Sequence, residues 1–289
     1  SNIGACNTAK SPHNINLTYE AKNLPILNLK LSGDGHRYHA CTMKIKDPIG
    51  SRFFVISGWS MLALALVSFP FTYFGPMQDG SKRFYGLLHV HAALCFAWLL
   101  LYVWQVHRVA QRKLSHHREW GIAGAWLTGA VVMTGVPMIP AAAMRRIAAG
   151  DPEPYLYSAY NLVDLGLFTL MSSLALLTAS RHFDWHRRFM LGAAVALFVA
   201  AASRLMLLLP PAPPWTDLGS VVIGQAVLVL LAWREWQAGR VHPATGIALA
   251  LMVPLHFSSP LIGNSLLMRE HVGPALVDMI SIAPPDSCH

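Results

Sequence analysis

The side chains most able to do chemistry are those that sit where hydrocarbon is expected. His91, Asp164, Arg204 and His256 lie inside long apolar runs, and Asp217 stands at the start of another. A charge in hydrocarbon is costly unless it is paired or wet, so each residue needs a partner. Imidazole and carboxylate are ligands for zinc, copper or iron, and His91, Asp164 and His256 together would make a three-ligand metal site with an open position. No HExxH-type spacing fixes that set. Two histidines at matching depth on facing helices would instead hold a b-type haem, with His91 and His256 as the pair and His89 with His256 as the spare one. His89 and His91 are about 200° apart on a helix and cannot both face one site. Asp164 and Arg204 fall on consecutive apolar runs and are expected to form the main ion pair of the interior. Asp217 either caps its helix or pairs with Arg204. His256 follows Pro254, and a kink beside an imidazole can line a pocket.

A second set lies between the apolar runs. Ser115-His116-His117-Arg118-Glu119-Trp120-Gly121 opens one run, and Asp184-Trp185-His186-Arg187-Arg188-Phe189-Met190 opens another. At a helix start, basic side chains and free backbone amides can together hold a phosphate or a lipid head group, which makes His117, Arg118, His186, Arg187 and Arg188 candidates. The plainer role is to set membrane orientation, with Trp120 and Trp185 as interfacial anchors. His107, His116, His117, His182 and His186 also offer a second place for haem near that surface. The similarity of the two elbows suggests duplication of a helical hairpin.

Seven apolar segments must position these groups. They span about Phe53 to Phe74, Leu87 to Val106, Gly121 to Ala143, Leu162 to Ala179, Phe189 to Leu209, Leu218 to Trp233 and Ile247 to Ile262. A bilayer core of roughly 30 Å needs about 20 helical residues, and backbone in lipid must satisfy its own hydrogen bonds. Each segment is therefore a helix, and the fold class is an all-α integral membrane bundle with about seven transmembrane helices. Composition agrees. Only 12% of the 289 residues are charged, against about 25% in soluble domains. The mean hydropathy of +0.41 likewise excludes an ordinary soluble enzyme, a disordered chain and a disulfide-rich module.

Proline and glycine mark the boundaries. Gly75-Pro76 is expected to stop the first helix, Pro137 and Pro140 to interrupt or end the third, and Pro210 to Pro214 to make a stiff turn after the fifth. Pro254 and Pro260 should kink the seventh. Residues 1–52 read as a polar arm with one short strand over 24–31, residues 53–262 as the bundle and 263–289 as an interfacial tail. Asn16-Leu17-Thr18 fits the glycosylation acceptor pattern. No basic start followed by an apolar run appears in the arm, so no signal peptide is expected there.

The basic residues set orientation. Sixteen fall on the side of the arm and the elbows, against five on the other, which places the N-terminus in the cytoplasm. The formal charge of +8 follows from those topology-setting residues, and no nucleic-acid partner is expected. Membrane lipids are the expected partners, with other membrane subunits a further possibility. Cys6, Cys41, Cys95 and Cys288 form no CxxC, so thiol redox chemistry, a thiolate zinc site and covalent haem are not indicated. P-loop, dinucleotide-binding and GxSxG signatures are absent as well, and no reaction can be named.

The order of His91, Trp98, Gln105, His117-Arg118 and Gly121, then Asp164, His186-Arg187-Arg188-Phe189-Met190, Arg204 and Gly239-Arg240-Val241-His242-Pro243-Ala244, resembles a family of uncharacterised bacterial polytopic inner-membrane proteins. The resemblance covers roughly residues 53–262 and leaves out the arm. It implies a helical bundle in the bacterial inner membrane and no particular activity, and it favours His91 over His89 as the inward histidine. Three function classes follow. The first is an accessory or structural subunit of a membrane complex. The second is a redox, metal- or haem-binding protein using the His/Asp cluster. The third is a small proton-coupled carrier using Asp164, Arg204 and His256.

Overall fold

The structure is a computed structural model and describes residues 49–80, 84–208 and 216–281. Seven spans long and apolar enough to cross a membrane occur among the described residues, and the fold is an all-α multi-span membrane bundle. The arm with its expected strand, the Pro210 to Pro214 turn and the Asp217 side chain lie outside the described residues.

The first span is α1 (Ser51–Phe69), a π-helical turn (Pro70–Phe74) and α2 (Gly75–Gln78). Gly75-Pro76 does not stop it as expected. The Gly75 amide still bonds the Pro70 carbonyl, and Pro76 falls at the start of the next turn, where a missing amide costs nothing. Upstream, the Ser68 hydroxyl donates to the Ala65 carbonyl and Thr72 to that of Ser68. Side-chain hydroxyls thus help satisfy backbone groups around Pro70, as an apolar medium demands.

The second span is α3 (Gly86–Ala110). The third is α4 (Leu114–Gly135) followed, after a break at Val136-Pro137, by α5 (Met138–Ala148). Then come α6 (Leu156–Thr178), α7 (Phe183–Met206), α8 (Thr216–Gln237) and α9 (Pro243–Gly263). The tail holds a π-turn (Met268–Val272) and α10 (Gly273–Ser281), which packs on α5. The elbow sequences lie within the first turns of α4 and α7, so both helices begin several residues earlier than apolarity alone implies.

Helix α7 is the hub, packed against α1, α6, α8 and α9 and touching α3. The reason is in its sequence: Gly192, Ala193, Ala194, Ala196, Ala201 and Ala202 are all buried, and small side chains let neighbouring backbones approach on every side. A methyl added at Gly192 would sit 3.2 Å from the Met171 sulfur, and one at Gly224 would sit 2.6 Å from a Val199 methyl. The outward stripe of α4, by contrast, exposes Ile122, Trp126 and Met133, as a lipid-facing helix does. Odd and even spans alternate in direction. The turns α3–α4, α6–α7 and α8–α9 share one end of the bundle, called here the elbow end, and α5 lies at the other, the cavity end.

Candidate functional site

At the cavity end a chamber of 310 Å³ opens between α1, α3, α4, α5, α6 and α7. Its polar lining comprises Tyr85, His91, Arg145, Asn161, Asp164 and Arg204, and Phe69, Leu99 and Phe168 are among its apolar walls. His91 reaches it from α3 across Gly135 of α4. A Cβ at Gly135 would meet the His91 ring at 3.2 Å and Leu165 at 2.9 Å, so the glycine makes room for the imidazole. The Thr134 hydroxyl donates to the Ala130 carbonyl at 2.8 Å and must therefore accept from His91 Nδ1–H at 2.9 Å. That fixes the tautomer and leaves His91 Nε2 as an acceptor, with the Cys95 thiol 3.5 Å away. His89 faces elsewhere, bonding Tyr73 through Nδ1 and lying edge-on to Phe84.

Asp164 meets His256, which is fully buried on α9, with 3.1 Å between Oδ1 and Nε2. His256 Nδ1 lies 2.9 Å from the Met252 carbonyl, which can only accept, so Nδ1 carries a hydrogen. The Gln225 amide stands 2.8 Å from the same nitrogen. Turning that amide so that its oxygen faces Nδ1–H satisfies Gln225 Oε1, which is otherwise buried without a partner. With Nδ1 protonated, the hydrogen bond between Nε2 and Asp164 requires a second proton in that gap. The pair is then either imidazolium with carboxylate or imidazole with carboxylic acid.

Arg204 projects from the last turn of α7. Its Nη1 donates to the Ala200 carbonyl at 3.0 Å, and the guanidinium lies 4.8 Å from the Phe69 ring centre. Arg145 of α5 lies over the ring of Tyr85, whose phenol burial pushes up from its usual range, so it stays neutral. The Tyr85 hydroxyl donates to the Met138 sulfur.

The elbow end holds a different network. Arg188 of α7 and Glu235 of α8 form a buried ion pair, 2.6 Å from Nε to Oε1. Arg188 Nη1 also donates to the Asp184 carbonyl, and Glu235 Oε2 accepts the His242 amide at 2.9 Å. His242 in turn caps α9, its Nδ1 accepting the Ala244 amide. In the neighbouring hairpins, His117 Nδ1 donates to Gln105 Oε1 while Gln105 Nε2 donates to the His117 carbonyl. His186 Nδ1 donates to the Ala175 carbonyl, and the His117 and His186 rings meet with centres 6.0 Å apart.

Comparison with known protein families, curated proteins and solved structures finds no match.

Several expectations need correction. Asp164 does not pair with Arg204; its ion-pair partner is His256, and Arg204 has no carboxylate partner among the described residues. The principal buried ion pair is Arg188–Glu235. Helix rotation explains the change: α6 shares a long contact with α9, which brings Asp164 onto the Pro254 turn. Among the described residues no three His, Cys, Asp or Glu side chains come together as a metal site, so His91, Asp164 and His256 do not converge as ligands. His256 also has no ring nitrogen left for haem iron, because Met252 and Asp164 hold both. Arg188 is withdrawn into the bundle and cannot serve a phosphate. Arg187 bonds Asp184 and the Ile49 carbonyl, while Arg118 stays exposed. The missed residue of weight is Glu235. Its signal was a lone carboxylate between Arg234 and Trp236, opposite two arginine-rich elbows, but it lay just beyond the expected end of the sixth segment.

The cap at His242 gives a pH prediction. Burial, with the Arg188 charge next, holds its imidazole below the usual histidine value. The unfolded chain therefore binds the proton at higher pH than the folded one. The contribution is fully present above about pH 6.5, the unfolded value, and is lost as pH falls through the lower folded value. Thermal unfolding in a nonionic detergent should show stability falling on acidification below that point. The substitution His242→Asn keeps a capping oxygen without a titrating group, and it should flatten the slope. An unchanged slope in that variant would show that His242 is not its source.

Proposed function

We propose that the chain is a small proton-coupled carrier, with Asp164 and His256 as its proton-holding pair and the adjoining cavity as its substrate chamber. The observation that carries this reading is the Asp164–His256 contact, in which one carboxylate touches both a buried imidazole and the chamber. Gaining or losing the proton in that gap changes the charge of the chamber wall by one. A change of charge in hydrocarbon has a large energetic consequence, so a ligand in the chamber and a proton on the pair must influence each other. The accessory-subunit reading draws on the apolar outer surface, which any polytopic protein has, and on the polar arm as a docking element, which lies outside the described residues. The excess of basic residues around the elbows supports placing that end and the N-terminus in the cytoplasm of a bacterial inner membrane, as in the proteins the elbows resemble.

The test uses protein reconstituted in vesicles that contain a pH dye. Gradients of an anionic, a neutral and a cationic short-chain amphiphile are imposed in turn. At least one should move protons faster than in protein-free vesicles, and Asp164→Asn should abolish that excess. If none of the three does so, or if Asp164→Asn retains the full flux, the carrier reading fails.

A further inference from the structure

We infer that the chamber binds an amphiphilic anion, with Arg204 as the anchoring cation and Arg145 as a second cation at the chamber wall. This deepens the carrier reading and rests on it for transport, though not for binding. Two guanidinium groups line the chamber, and neither has a carboxylate partner among the described residues. The one acid on the wall, Asp164, is already engaged by His256. His91 donates through Nδ1–H to Thr134 and adds no negative charge to the wall. Among the described residues the wall is therefore positive on balance, and an unpaired cation at the depth of Arg204 is costly.

Each guanidinium is also oriented by aromatic and backbone contacts. Phe69 and the Ala200 carbonyl hold Arg204, and the Tyr85 ring lies under Arg145. Both keep N–H donors beyond those contacts, since a guanidinium has five. A carboxylate, sulfonate or phosphodiester accepts such donors and supplies the missing charge. Below Arg204 the chamber walls are apolar, formed by Phe69, Leu99, Val131, Leu165 and Phe168. A small inorganic anion would leave that surface without a partner, whereas an anion with a short apolar body matches both parts. The volume of 310 Å³ lies at the lower end of small-molecule sites.

The experiment measures binding to purified protein by thermal shift in nonionic detergent. Three probes share one chain and differ in head group: hexanesulfonate, hexanol and hexyltrimethylammonium. Hexanesulfonate should raise the unfolding midpoint with saturation, and the other two should not. Arg204→Gln should weaken the half-saturating concentration by about tenfold or more, in line with loss of a charged hydrogen bond. Arg204→Lys should retain part of the affinity. Arg145 is exposed, so Arg145→Gln keeps the test open if the Arg204 variants do not fold, and it should also weaken binding.

Equal responses to the anionic and cationic probes overturn the proposal, as does unchanged hexanesulfonate affinity in Arg145→Gln and any folded Arg204 variant. A lipid phosphodiester offers the same pairing of anion and apolar body. Adding phosphatidylglycerol to the micelle separates the sources: competition marks a head group as occupant, lack of competition marks a soluble ligand, and both support the anion site. Binding that persists in Asp164→Asn while that variant and the parent both move no protons would sink the carrier reading and keep the anion site. Proton movement without anion-selective binding would do the reverse.

Discussion

Replacing Glu235 with Gln is expected to destabilise the bundle by about 3–5 kcal/mol, because it removes the buried counter-charge of Arg188 and leaves only the exposed Asp184 carboxylate, 3.6 Å away. The side chains of both partners are at most 4% exposed, so water cannot take over the role of the lost carboxylate. Surface ion pairs of the same length are worth about 0–1 kcal/mol. Arg188→Met should be comparably harmful, since it strands Glu235. The double variant Arg188→Met, Glu235→Leu should recover much of the loss, because no charge then remains to be paired. Recovery should stop short of the parent, because Glu235 also accepts the His242 amide, and an orphaned buried amide costs about 1–3 kcal/mol. Unfolding in detergent would measure all three. Single variants within about 1 kcal/mol of the parent would mean that the pair behaves like an exposed one.

The second large effect concerns which partner Asp164 has. Residues that share a hydrogen bond show coupling of about 0.5–3 kcal/mol in a double-mutant cycle, and residues without shared partners add. Asp164→Asn combined with His256→Gln should therefore be markedly non-additive. Asp164→Asn combined with Arg204→Gln should be additive within about 0.5 kcal/mol. The two cycles separate the observed pairing from the one the sequence suggests. Strong coupling to Arg204 with none to His256 would reverse the assignment.

These two predictions rest on features that differ in how visible they were. The number of spans was legible from hydropathy, because each long apolar run can satisfy its backbone in lipid only as a helix. The break at Pro137 was legible for a similar reason, since a proline ring cannot continue the hydrogen-bond ladder. Helix ends were less so. The elbows and the Glu235 turn lie inside α4, α7 and α8, because side-chain contacts such as Gln105 with His117 and Arg188 with Glu235 stabilise turns that apolarity does not mark.

What the sequence determined by itself is an all-helical multi-span membrane fold, and a collection of ionisable groups gathered by alternating helix direction at the two ends. His91, Asp164 and Arg204 do line one chamber, as their depths imply. What only the tertiary structure decided is partnership. Depth along a helix follows from counting residues at about 1.5 Å each, but the direction a side chain faces depends on how each helix is rotated against its neighbours. That rotation is set by the small-residue surface of α7, which admits α6, α8 and α9 on different sides. It turns Asp164 towards His256 rather than Arg204, joins Arg188 to Glu235 across α7 and α8, and leaves two guanidinium groups on the wall of the chamber.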